Sequence, residues 1–268
     1  MTPEHIWTCP DMAHALARCN ENNRKNIRCI LHLSGAPSAD REVQETLARN
    51  YRTLTDAIAD RKLAASISIK PTPFGLMSDY QRAENIIRGL AAYATGASVP
   101  FEMDMEGRGT VEKTLRVAVS CRDAGYPLNL AVQANLDRTS DDLSMLLSHG
   151  IVPRIVKGTY PGDLHDFSEI QDRMRTLTEH AVAGGGRVQV GTHDPELIAW
   201  IEDHFYREKD RVEFGFLMGL SDQTKLRLAG EGWTVCEYIP FGEDQQAYIT
   251  RRERYLRELR EISRVPAP

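Results

Sequence analysis

Arg154-Ile-Val-Lys-Gly-Thr-Tyr160 places two cations and a tyrosine around a short β-branched run that breaks at Gly158. Ile155 and Val156 read as a buried strand. Charged and aromatic groups at such a strand end suit the grip of an anion, or of a large planar ligand, at the mouth of a parallel sheet. They suit equally a plain strand with solvated ends. Tyr248, Arg251 and Arg252 form a second group, spaced three and four residues apart, so that on a helix they share one face. Two guanidiniums converging there would hold a carboxylate through bidentate hydrogen bonds. Arg254, Arg257 and Arg260, which follow, also fit an ordinary solvated helix. Lys70 and Asp104 each close an apolar run, and an ammonium held inside a sheet needs an anionic partner. That pair reads either as a structural ion pair or as part of a site.

Positioning these groups takes a regular scaffold, and the sequence supplies one. Candidate strands run over 27–33, 65–70, 99–105, 127–133, 152–157, 187–191, 212–218 and 234–239. Amphipathic segments lie between and after them, at 41–61, 79–94, 110–124, 140–148, 166–183, 195–206, 222–231 and 244–262. Eight strand–helix repeats, with no GxGxxG after the first strand, favour a closed (β/α)8 TIM-like barrel over an open doubly wound sheet. Residues 1–25 are expected to form a short N-terminal cap, and 26–268 a single barrel domain. In such barrels chemistry belongs at the C-terminal strand ends. Those ends here are Lys70-Pro-Thr72, Asp104-Met105-Glu106, Gln133-Ala-Asn135, Lys157-Gly-Thr-Tyr160, Gly191-Thr192-His193-Asp194, Leu217-Met-Gly219 and Tyr238-Ile-Pro-Phe-Gly242.

The 268 residues carry a net charge of −5, which gives no reason to expect a nucleic-acid partner. Five cysteines without CxxC spacing suit reduced thiols in a cytoplasm better than a zinc site or a disulfide framework. The histidines show no HExxH-like spacing, so no metal is expected. No apolar run is long enough for a transmembrane segment, and the first twenty residues are too polar for a secretory signal.

Taken in order, these strand ends resemble the flavin-dependent proline dehydrogenase family. The matching pieces are Ser68-Ile-Lys70-Pro-Thr72, Asp104-Met-Glu106, Gln133-Ala134, Arg154-Ile-Val-Lys-Gly158 with Tyr160, Thr192-His193, Leu217 with Gly219, and Tyr238-x-Pro-x-Gly242 leading to Tyr248-x-x-Arg251-Arg252. The resemblance implies a distorted (β/α)8 barrel that binds FAD and oxidises L-proline to Δ1-pyrroline-5-carboxylate by hydride transfer. It implies that Arg251, Arg252 and Lys70 anchor the substrate carboxylate, with Lys70 linked to Asp104. Tyr160, Leu217, Tyr238, Tyr248 and Thr159 would then shape the substrate pocket. Asp104, Met105, Gln133, Arg154, Val156, Lys157, Gly158, Thr192, His193 and Tyr238 would contact the cofactor. A quinone-type electron acceptor, met by peripheral membrane contact, is also implied.

The chain departs from the family pattern at Asn135, Thr159, Pro161, Gly215 and Tyr255, which bears on the substrate. The alternatives are a related flavin enzyme acting on another cyclic or N-substituted amino acid, and a non-catalytic amino-acid-binding barrel.

Overall fold

Eight parallel strands close on themselves in chain order: β1 (Ile27–Leu33), β2 (Ala65–Ile69), β3 (Phe101–Met103), β4 (Asn129–Gln133), β5 (Val152–Val156), β6 (Val188–Gly191), β7 (Val212–Leu217) and β8 (Thr234–Phe241). The structure, a computed structural model, describes residues 4–243 and 245–261. Closure runs from Ile27 opposite Val235 to Leu33 opposite Phe241. The helices are α1 (Glu4–Trp7), α2 (Met12–Asn23), α3 (Arg41–Asp60), α4 (Tyr80–Gly96), α5 (Val111–Asp123), α6 (Thr139–Ser148), α7 (Phe167–Ala183), α8 (Pro195–His204), α9 (Asp222–Gly230) and α10 (Gln246–Glu261). Asp11, Asp40, Asp79, Asp166 and Asp194 each stand just before a helix and accept a backbone N–H of its first turn. Such caps contribute about 0.5–2 kcal/mol apiece and explain where these helices start. Asp244 and Ile262, the expected bounds of the last helix, lie outside the described residues, as do 1–3 and 263–268 of the expected cap and barrel. No described helix is long and apolar enough to cross a membrane. All five cysteines are free and buried.

The strands alternate in a way that sorts apolar from polar. Leu31, Ile67, Ile69, Phe101, Met103, Leu130, Val132, Ile155, Val190, Phe214 and Ile239 belong to one large core cluster with the surrounding helices. The intervening positions carry Arg28, Ser66, Glu102, Arg154, Gln189 and Glu213. Arg154 of β5 bonds Asp104 beyond β3, Gln189 of β6 reaches Glu102 of β3, and Arg28 of β1 reaches Glu213 of β7. These strands are not neighbours in the sheet, so their side chains meet across the barrel interior. Barrels are usually filled there by branched aliphatic residues. This one carries paired charges and amides there, beside a small cluster of Ile30, Cys236 and Tyr238.

The expectation that every strand is followed by an outer helix fails at the last repeat. α10 does not pack beside β8. It lies across the barrel mouth, where Glu258 meets Lys157, Arg251 covers Tyr160 and Tyr255 packs near His193. The place beside β8 and β1 is taken by α2, within the segment expected to be a mere cap. Arg18 of α2 grips Glu237 of β8 with two hydrogen bonds of 2.8 and 3.1 Å, and Asn22 adds a third at 2.9 Å. Lys225 of α9 pairs with the same carboxylate, and both side chains are almost fully buried. Glu237 therefore ties α2 and α9 to one strand. Burial pushes its carboxyl pKa up, but the Arg18 bonds and the Lys225 charge outweigh that and hold it at about 2.

Glu237→Gln should cost about 3 kcal/mol, because it removes the buried carboxylate that Arg18 and Lys225 share and leaves Lys225 only Asp222, at 2.6 Å. The contribution of this carboxylate is complete above the ordinary glutamate value of 4.5. It is lost as pH falls from there towards 2, since the folded-state pKa is the lower one. Denaturant titrations of both proteins between pH 7 and pH 3 measure this: the stability gap should narrow with acid.

Candidate active site

Asp104, one residue past β3, is the hub of the barrel mouth. Its Oδ1 accepts from Arg154 Nη2 at 2.6 Å and from Ser68 Oγ at 3.0 Å. Its Oδ2 accepts from Lys70 Nζ at 2.8 Å and from the Tyr238 hydroxyl at 2.5 Å. Burial opposes ionisation of this carboxyl, yet the Lys70 and Arg154 charges overcome it and hold the pKa well below the usual carboxylate range. The same environment moves Tyr238 the other way: burial and the adjacent Asp104 charge push its hydroxyl well up, so it stays protonated and donates.

Above this hub lies a cavity of about 590 Å³, with α10 as its roof. Lys70, Asp104, Met105, Arg154, Val156, Lys157, Gly158, Thr159, Tyr160, His193, Leu217, Tyr238, Tyr248, Arg251 and Arg252 all border it. Strand ends far apart in sequence thus meet in one chamber. Gln133 and Thr192 do not reach it. Gln133 is buried and spends its amide N–H on the Glu106 carbonyl at 3.0 Å, while Thr192 Oγ accepts from the Asp194 N–H in the turn before α8. Neither is among the residues that border the cavity. His193 borders the cavity, but both ring nitrogens are engaged. Nε2 accepts from the Leu217 N–H at 3.2 Å, which leaves Nδ1 to donate to Ser221 Oγ at 3.0 Å. Burial and the Arg252 charge hold this ring neutral.

Arg252 decides the chemistry of the chamber. It is 3% exposed, and its Nη2 donates to the Tyr248 hydroxyl at 2.5 Å. Its Nε and Nη1 find no partner among the described residues. A buried guanidinium with two free donors is costly by itself and calls for an anion. Arg251, stacked over the Tyr160 ring at 5.8 Å, borders the same space. Gly191 and Gly215 pair across β6 and β7 and leave bare backbone on the opposite wall. A Cβ at Gly191 would stand 2.9 Å from Val156. Glycines there keep that wall flat.

No protein-family model matches the chain. Among characterised proteins, it is 25% identical over 237 residues to proline dehydrogenase 1 of Bacillus subtilis, covering 86% of this chain and 78% of that one. Proline dehydrogenase 2 of the same organism is 28% identical over 202 residues, covering 73% and 67%. The fold superposes on proline utilization A from Bdellovibrio bacteriovorus with a TM-score of 0.83 at 16% identity, over 92% of this chain. The present chain spans 32% of that longer protein. The chain is thus similar in sequence to proline dehydrogenases and shares its barrel fold with proline utilization A.

Against the family's usual residues, Asn135 takes on a local structural task. Its Nδ2 donates to the Tyr160 carbonyl at 2.9 Å, and its own carbonyl accepts from Asp163 and Leu164 at 2.8 and 3.0 Å. The loop after β5, which carries Thr159 and Tyr160, is folded around this one residue. Arg108 pairs with Asp163 and fixes the far side. Two functional neighbours escaped sequence reading. His32 sits beneath Lys70, and Glu258 of α10 bonds Lys157 at 3.0 Å. His32 left a faint signal, as a single histidine near the C-terminal end of an apolar strand. Glu258 left none, because its meeting with Lys157 depends on α10 crossing the mouth.

Gly158, at φ +108°, and Gly162 press on Asn135 from both sides. A Cβ at Gly162 would lie 2.5 Å from the Asn135 carbonyl oxygen. Gly158→Ala should cost more than about 1 kcal/mol because alanine resists that backbone conformation. Gly162→Ala should loosen the loop, which limited proteolysis would report as new cleavage between residues 158 and 166.

Proposed function

We propose that the protein oxidises L-proline to Δ1-pyrroline-5-carboxylate with FAD as its cofactor. The observation that carries this reading is Arg252, buried beside a cavity with two unpartnered donors and with Arg251 next to it. Together they match the carboxylate of a small amino acid. The donor set also fits a flavin. Arg154 and Lys157 supply cations, Gly158, Gly191 and Gly215 supply close backbone approach, and Met105, Val156, Tyr238 and His193 supply faces for a planar group. When bound, FAD supplies the two-electron acceptor for a hydride.

The protein's own groups prepare the substrate. Arg251 and Arg252 hold the carboxylate, while Tyr160, Tyr248 and Leu217 close on the ring and exclude water. Arg154, braced by Asp104, keeps a fixed positive charge at the floor, which favours the negative charge that reduction builds. As the hydride leaves the carbon beside nitrogen, the nitrogen lone pair forms the C=N bond. A protonated amine has no such lone pair, so one proton must leave first. Neither Asp104, held far below neutrality, nor the two neutral histidines with both nitrogens engaged is placed to take it. We assign that proton to solvent.

A second reading, oxidation of another cyclic or N-substituted amino acid, has one observation in its favour: Thr159 borders the cavity on an exposed stretch of loop and adds a hydroxyl there.

Purified protein supplied with FAD should have its flavin bleached anaerobically by proline. At low proline the reduction rate should rise with pH, as the deprotonated amine becomes more abundant. Arg252→Met should lower kcat/KM by at least about 100-fold, roughly 3 kcal/mol. Pipecolate or N-methylproline outpacing proline, with the order reversed by Thr159→Ala, would favour the second reading. An absence of flavin binding would contradict both.

A further inference from the structure

Two residues before Asp104, β3 buries a second carboxyl that has far fewer partners. Glu102 is 2% exposed. Its Oε1 accepts from Ser66 Oγ at 2.6 Å and, less closely, from Gln189 Nε2 at 3.4 Å. Its Oε2 finds no hydrogen-bond partner among the described residues, and neither does the side-chain carbonyl oxygen of Gln189. Arg154 Nη2 stands 3.8 Å from Glu102 Oε2, beyond hydrogen-bond reach, and is already given to Asp104 at 2.6 Å. The Gln189 amide also donates to Glu213 Oε1 at 3.1 Å, so turning it over would set its carbonyl against two carboxyls. Both orphaned oxygens only accept, and what the pair lacks is a proton. With a proton on Oε2 the carboxyl and the amide become complementary, each offering the other one donor and one acceptor. A hydrogen bond to a charged group contributes about 1.5–3 kcal/mol, and burying a carboxylate costs several. Asp104 offsets that cost with four close bonds. Glu102 has one close bond and one long one. The titratable groups that face it are Arg154 of β5, Glu213 of β7 and the Cys236 thiol of β8. Burial pushes the Glu102 carboxyl up from its ordinary range; the Arg154 charge and the Ser66 bond oppose this without cancelling it, and the Glu213 charge adds to the rise.

We infer that Glu102 is a positioning residue that carries its proton against the Gln189 amide, so that Arg154 pairs with Asp104 alone and the floor of the site keeps a net positive charge. Lys70 and Arg154 there stand against one anion, Asp104. An ionised Glu102 would cancel the excess. The excess favours the negative charge that reduction of a flavin builds above it. That consequence rests on the flavin reading given above, whereas the proton on Glu102 does not. Glu213, on the other side of the same amide, stays ionised against Arg28 at 3.2 Å. One amide therefore separates a charged carboxylate near the barrel base from a neutral acid beneath the site.

The test reads the proton itself. Infrared spectra of the unmodified protein and of Glu102→Gln are subtracted at neutral pH, before and after FAD is supplied. The difference should contain a protonated-carboxyl C=O band, lost in the variant and shifted in D2O, in both samples. A difference made only of carboxylate bands would overturn the inference. The charge is read separately, from the midpoint potential of the bound flavin. Exchanging a neutral acid for a neutral amide should leave that potential in place at neutral pH. At alkaline pH, where Glu102 gives up its proton, the unmodified protein should fall below the variant, because an added negative charge at the floor opposes reduction. A higher potential in the variant already at neutral pH would also overturn the inference. If Glu102→Gln does not fold, Gln189→Leu decides. It removes both hydrogen bonds of the acid–amide pair and should move the carboxyl band to higher frequency; an unmoved band would count against the assignment. If the protein binds no FAD, the flavin reading falls, and the infrared difference still decides where the proton sits.

Discussion

The mouth of the barrel depends on one carboxylate. Asp104 receives Ser68 and Lys70 from the β2 end, Arg154 from β5 and Tyr238 from β8, so four hydrogen bonds draw three elements onto the end of a fourth. A hydrogen bond to a charged group contributes about 1.5–3 kcal/mol, whereas burying an ion costs several. No single partner would offset that cost, and the full set does. The same arithmetic makes the arrangement rigid, since a shift of any one member exposes an unpaired charge in a low dielectric. Rigidity of this kind is what a site needs if its charges are to be in place before a substrate arrives.

Charge inside the barrel and apolar packing outside it divide the work of the fold. The helices bury the outward strand positions in one continuous core, so stability does not depend on filling the interior with aliphatic side chains. That leaves the interior to carry Arg28, Glu102, Arg154, Gln189 and Glu213. A second buried ion cluster, around Glu237, fastens α2 where an eighth outer helix would otherwise pack. With that position filled, α10 is released to cross the mouth and bring Tyr248, Arg251 and Arg252 over the cavity. Two buried carboxylates, one on β8 and one just past β3, therefore do separate jobs: Glu237 places the roof, and Asp104 the floor.

Much of this was legible in the residues. The eight strands were readable because β-branched runs bounded by helical periodicity have few other interpretations, and β1 lies over the expected residues. The strand-end groups were readable because a polar or charged residue just past an apolar run in a barrel has only the mouth to face. The place of α2 beside β8 and β1 was not legible, because it is fixed by Arg18 and Asn22 reaching a carboxylate more than two hundred residues away. The path of α10 was missed for the same reason, since local sequence fixes a helix but not its direction. The hydrogen bonds of Gln133 to the Glu106 carbonyl and of Thr192 to the Asp194 N–H were not legible, because they depend on how neighbouring strand ends and turns meet.

The central claim is that the Asp104 carboxylate organises an oxidising site, and replacing it by the isosteric amide tests that most directly. Asp104→Asn keeps the shape but leaves Lys70 and Arg154 without their shared anion. The measurement is the anaerobic rate of flavin reduction by proline, made on protein whose melting temperature and circular dichroism show that it remains folded. The account predicts a fall of at least about 100-fold. A folded Asp104→Asn protein that reduces its flavin within about threefold of the unmodified rate would contradict it.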